Sequence, residues 1–130
     1  PAVAVAEAEA AVAAEAALRS NRSACFAALR RFDPALTEAQ HACALRPSWA
    51  KGHSRVGAAL HGLGRLEEAA AAYAQALSLE PHNSQAEQAS ARIKREQRDA
   101  RLEALIERGA FNKRGAAEAD AAAAAAAAAA

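Results

Sequence analysis

Apolar residues recur along the chain at helical spacing, and proline and glycine break the pattern into segments. Leu18, Cys25, Phe26 and Leu29 fall at intervals that a helix can place on one side. Arg31-Phe32-Asp33 reads as a short connection, and Pro34 fits a first helical turn with Asp33 as its N-cap. The second helix runs to Leu45 and stops before Pro47, whose ring disfavours helix at the residue ahead of it. A third starts near Trp49, carries Val56, Leu60 and Leu63, and ends at Gly62-Leu63-Gly64. A fourth extends from Leu66 to Leu79 and stops at Glu80-Pro81. From Ser84 to Gly109 the chain is charged and helix-prone, with Ile93, Leu102, Leu105 and Ile106 as sparse apolar points. That pattern predicts a solvated helix capping the end of the helix pairs. Phe111 to Gly115 interrupts it, and a low-complexity, disordered tail is expected over 110–130.

The two central helix pairs match each other. Pro47 and Pro81 are 34 residues apart. The same shift pairs Ser23 with Gly57, Phe26 with Leu60, Phe32 with Leu66, Ala35 with Ala69, Ala42 with Ala76 and Leu45 with Leu79. A helix–turn–helix unit of this length is the tetratricopeptide period. Small residues permit close helix approach and the large ones fill the gaps. Tyr73 supplies an aromatic in the second helix of its unit, where the first unit has Ala39. The expected fold is therefore all-α: two full repeats over residues 18–83 and a C-terminal capping helix over 84–109. Residues 1–17 form an alanine-rich helical segment without an amphipathic stripe of large side chains. Its low complexity, like that of Ala121 to Ala130, assigns it no functional role.

Composition narrows the function classes. Of the 130 residues 53% are hydrophobic, but much of that is alanine, so the core is expected where larger side chains cluster, between Leu18 and Leu79. The net charge of +1 provides no global attraction to nucleic acid or to a membrane surface. The alanine-rich ends lack the bulky apolar content of a membrane span. Cys25 and Cys43 match no metal spacing and read as small buried thiols in a reducing compartment, which points to the cytoplasm. His41, His53, His61 and His82 form no ligand set with carboxylates or thiols. No nucleophile–base pair, phosphate loop or paired-carboxylate motif is present, so neither an enzyme nor a cofactor is expected. The chain opens on Pro1 rather than Met, as a piece of a longer protein would.

One stretch, Ser20 to Arg55, concentrates the candidate chemistry. Lys51 and Arg55 are four residues apart and project from one face of the third helix. Asn21 and Arg55 are 34 apart and so occupy equivalent places on successive first helices. Two cations and an amide donor converging on a groove favour a carboxylate through charge-assisted hydrogen bonds.

The blocks SNRSACFAAL and RPSWAKGHSRVGAALHGLGRLEEAAAAYAQALSLEPHN resemble the N-terminal tetratricopeptide domain of the Hop, or stress-inducible, co-chaperones. The resemblance covers Leu18 to Asn83. It implies a concave groove that binds the acidic C-terminal tail of a seventy- or ninety-kilodalton heat-shock chaperone, ending Glu-Glu-Val-Asp. By the same resemblance Asn21 donates its side-chain amide, Lys51 supplies a point charge to a carboxylate, and Arg55 donates from its guanidinium. The family's two other clamp positions, a lysine and an asparagine, would fall ahead of Pro1, and no repeat-ending proline stands near Ala13. A clamp with three of its five residues is expected to bind weakly or not at all. The rival expectation is a structural subunit of a large assembly, in which the groove or the charged helix packs on neighbouring chains.

Overall fold

Helix ends in this chain are written in hydrogen bonds that recur every 34 residues. A computed structural model describes residues 1–129, apart from the side chains at 110–114 and 116–119. Its described residues form α1 (Ala2–Ala28), α2 (Phe32–Leu45), α3 (Ala50–Gly62), α4 (Leu66–Leu79) and α5 (Ser84–Ala129). At the end of α1 the Arg31 N–H donates to Phe26 O and the Arg30 N–H to Ala27 O. At the end of α3 the Arg65 N–H donates to Leu60 O and the Gly64 N–H to His61 O. Both are Schellman closures, in which the residue past the cap turns left-handed so that otherwise orphaned carbonyls find donors.

That left-handed position is Gly64 in the second unit, at φ +77°, and Arg30 in the first, at φ +59°. Glycine adopts this conformation freely, whereas an L side chain there costs about 1–2 kcal/mol. Replacing Arg30 with glycine is therefore expected to stabilise the fold by about 1 kcal/mol, raising the midpoint of thermal unfolding by several degrees. Circular dichroism melts of the two proteins check this, and an unchanged or lowered midpoint would contradict it.

The chain divides into two units, Pro1–Lys94 and Arg95–Ala130. In the first, α1 packs on α2, α2 on α3 and α3 on α4, and α1 also touches α3. The interior is built largely of alanine: Ala35, Ala39, Ala42, Ala59, Ala69 and Ala76 are fully buried. Around them Leu36, Leu60, Tyr73 and Ile93 supply bulk. The core thus reaches past Leu79 to Ala86 and Ile93, so the opening part of α5 covers the second repeat as a capping helix should.

Several expectations are corrected. In α1 the buried side is Ala16, Ser20 and Ser23, while Leu18, Cys25 and Leu29 are exposed and Phe26 is half-buried. Small side chains are what a closely approaching α2 admits, and the Ser23 hydroxyl donates to Ala35 O at 2.8 Å. Cys25 is consequently an exposed free thiol, and Cys43 is half-buried. Asp33 is not the N-cap of α2. That place is taken by Arg31, and Asp33 lies in the first turn, where its charge still suits the helix dipole. Residues 2–17 are continuous with the first repeat's helix rather than a separate segment.

A buried carboxylate ties α1 to α2. Glu38 is 8% exposed and pairs with Arg19 at 3.3 Å and Arg22 at 3.2 Å, while Arg19 also meets Glu15 at 3.6 Å. Two arginines from α1 satisfy a carboxylate that would be costly to bury alone.

In the second unit the backbone stays helical through Ala129, so the pattern does not break at Phe111 to Gly115 as expected. Alanine has the highest helix propensity, and isolated glycines such as Gly109 and Gly115 cost only about 1 kcal/mol each relative to alanine. Leu102, Leu105 and Ile106 remain exposed.

Candidate functional site

The segment SWAKGHSR opens α3 and sets its two faces. Trp49, with extended backbone, stands at the N-cap. Gly52, Gly57, Ala59 and Leu60 turn inward. Lys51, Ser54, Arg55 and Ala58 follow the i, i+3, i+4, i+7 rule and line a cleft of about 430 Å³. Trp49, Tyr73 of α4, Gln85 and Ala86 of α5, and Glu80 and Asn83 from the connection before α5 complete its wall.

Arg55 is held in place before any ligand arrives. Its Nε donates to the Ser20 hydroxyl at 3.3 Å, and Ser20 is fully buried in α1. The guanidinium therefore presents its remaining N–H groups from a defined position. Lys51, one turn earlier, is exposed, and among the described residues it has no hydrogen-bond or ion-pair partner. Burial pushes the Tyr73 phenol above its usual range, and the positive charges of Arg55 and Arg92 pull against that shift. Tyr73 thus offers a neutral hydroxyl in a positive field.

The structure brings Lys51 and Arg55 together as the sequence predicts. Asn21 is exposed on α1 and does not line the cleft, although the neighbouring Ser20 is the residue that Arg55 grips. Sequence reasoning missed Trp49, Glu80, Asn83 and Arg92 as parts of this region. The 34-residue shift aligns Arg46 and Trp49 with Glu80 and Asn83. Arg46 stacks over the Trp49 ring at 4.7 Å. Asn83 caps α5, accepting the Ala86 N–H at Oδ1 over 3.2 Å and donating through Nδ2 to Glu80 Oε2 over 3.2 Å.

His53 has a local role. His53 Nε2 lies 2.7 Å from Pro47 O, so it carries the hydrogen, which leaves Nδ1 to face Cys43 Sγ at 3.8 Å. Burial pushes the Cys43 thiol above its usual range. Among the described residues no three His, Cys, Asp or Glu side chains gather as a metal site. Among the described residues no helix is long and apolar enough to cross a membrane.

The tetratricopeptide repeat model matches residues 50–83, the second of the two units. Heat shock protein STI1 of Saccharomyces cerevisiae is 44% identical over 80 residues, 62% of this chain and 14% of that protein. An Hsp70-Hsp90 organizing protein of Triticum aestivum is 52% identical over 66 residues, 51% of this chain and 11% of that protein. The chain therefore spans about a seventh or less of these two relatives. Among solved structures, the first TPR of Spaghetti (RPAP3) bound to the HSP90 peptide SRMEEVD superposes with a TM-score of 0.61 at 35% identity. That match covers 63% of this chain and 65% of the other. The second TPR domain of human RPAP3, in complex with the HSP70 peptide SGPTIEEVD, gives 0.60 at 32% identity, with coverages of 62% and 67%.

Proposed function

The chain belongs to the tetratricopeptide repeat family, and we propose that its α3 cleft binds the acidic C-terminal tail of a heat-shock chaperone, as a co-chaperone adaptor does. The observation that carries this reading is the pair Lys51 and Arg55, side by side on one cleft wall, with Arg55 positioned by Ser20 and Lys51 unengaged. A terminal or side-chain carboxylate entering the cleft would meet a point charge from Lys51 and a fork of donors from Arg55. Asn21, on the α1 side, would add its amide. The two relatives solved with peptides hold tails ending in the same Glu-Glu-Val-Asp, which is the chemistry this cleft suits. The role is binding rather than catalysis. The free thiols Cys25 and Cys43 fit a reducing compartment, the cytoplasm.

With three clamp residues the affinity is expected to be modest, in the micromolar range or weaker. Fluorescence polarisation of a labelled SRMEEVD peptide against the whole chain tests the reading. Saturable binding that weakens from about 50 to 500 mM salt is expected, because the cations are partly exposed. A peptide with an amidated C-terminus should bind more weakly. Equal binding of the free-acid and amidated forms, or no binding at low salt, would refute the proposal.

A second reading rests on the Arg95–Ala130 unit. Leu102, Leu105 and Ile106 make an exposed apolar strip at helical spacing, the kind of face that packs on neighbouring chains in a larger assembly.

A further inference from the structure

The cleft is not uniformly basic. Lys51 and Arg55 stand on α3, but the connection before α5 places the Glu80 carboxylate in the same wall. Glu80 is exposed, and the only hydrogen bond to its carboxylate among the described residues comes from the Asn83 side-chain amide, which also caps α5. The carboxylate is therefore fixed to a helix end with most of its lone pairs open. Among the described residues no cation pairs with it. At the equivalent place 34 residues earlier the chain has Arg46, so the sign of the charge reverses between units. Trp49 lines the same cleft, with its ring already covered by Arg46.

An acidic tail lying along this cleft would be repelled by Glu80 unless the residue reaching it is cationic. Lys51 and Arg55 would take the acidic end, so a residue that reaches Glu80 lies upstream of it. We infer that Glu80 receives a basic side chain lying upstream of the acidic end of the bound peptide. The inference rests on the peptide-binding reading above and adds to it a preference among acidic tails. A carboxylate without a cationic partner suits an arginine or lysine through ion pairing.

The test uses three peptides, SRMEEVD, SAMEEVD and SEMEEVD, which differ only at the fifth residue before the terminal aspartate. Each is titrated into the whole chain and into its Glu80→Gln and Glu80→Lys variants at low salt. Glutamine keeps an acceptor for Asn83, so the α5 cap survives. The unaltered chain is expected to bind the arginine peptide about threefold more tightly than the alanine peptide, the scale of one exposed ion pair. Glu80→Gln should erase the difference, and Glu80→Lys should shift the preference to SEMEEVD. An arginine preference that persists in Glu80→Gln would overturn the inference. Equal binding of all three peptides, with release of all three by Lys51→Ala, would overturn it while leaving the proposed function standing. Failure of every peptide to bind the unaltered chain would remove both.

Discussion

Replacing Lys51 and Arg55 together with alanine is expected to lower affinity for a carboxylate-terminated acidic peptide by about a hundredfold or more. Hydrogen bonds to charged groups contribute about 1.5–3 kcal/mol each, so losing both exceeds the factor of ten that one such bond represents. The single variants separate binding from structure. Lys51 is exposed and has no partner within the chain among the described residues, so Lys51→Ala should weaken binding with the unfolding midpoint unchanged. Arg55 also donates to the buried Ser20 hydroxyl, so Arg55→Ala should weaken binding and slightly loosen α1 from α3. Arg55→Lys retains the charge but not the planar fork, and should recover only part of the affinity. Calorimetric titration, paired with thermal melts, reads both effects. Unaltered affinity in Lys51→Ala would exclude Lys51 from the site.

The second large effect concerns the packing of α3 against the start of α2. Alanine in place of glycine inside a helix ordinarily stabilises by about 1 kcal/mol. At Gly62 the sign should invert. A methyl group there would overlap the Phe32 ring, because α3 and the start of α2 approach within the space that only glycine leaves. The ring must move out of a fitted place, an overpacking cost of about 1–3 kcal/mol that outweighs the propensity gain. Gly109→Ala makes the contrast, since nothing lies within 4 Å of the added methyl. Urea or thermal unfolding should therefore show Gly62→Ala destabilised and Gly109→Ala stabilised or neutral. Stabilisation by Gly62→Ala would contradict the packing described. Gly57 is a related case, where the added methyl would sit 2.7 Å from the Tyr73 ring.

Much of this architecture is legible in the chain because it is local and repeated. Pro47, Pro81 and the small residues spaced by 34 announce the unit, and the helices α2, α3 and α4 lie where the punctuation puts them. What misleads is weighting apolar positions by size. In α1 the large side chains Leu18 and Leu29 face solvent, whereas Ser20 and Ser23 are buried, because close helix contact rewards smallness and a hydroxyl can find a backbone carbonyl. Asp33 looks like a cap by residue type, but the Schellman turn ahead of α2 already sets the helix start at Arg31. The cleft is only half readable for a different reason. Lys51 and Arg55 share one helix, so their spacing reveals them. Glu80, Asn83 and Trp49 meet across a turn, a cap and a helix start, and only the folded chain brings them to one wall.

The helix order within Pro1–Lys94 bears on how this unit would come apart. Each helix leans chiefly on its neighbours in sequence, with the α1–α3 contact as the main longer link. In such an array there is no single central nucleus, and stability is close to a sum of pairwise interfaces. Loss of the α1–α2 pairing would release an end without dissolving α3 and α4, so unravelling proceeds from the outside inward. The cleft wall formed by α3 and α4 is then the last part to be lost, and partial opening at the α1 end would first cost Arg55 its Ser20 anchor. Binding strength would decline in steps as the array frays, ahead of the collapse of the helices that carry it.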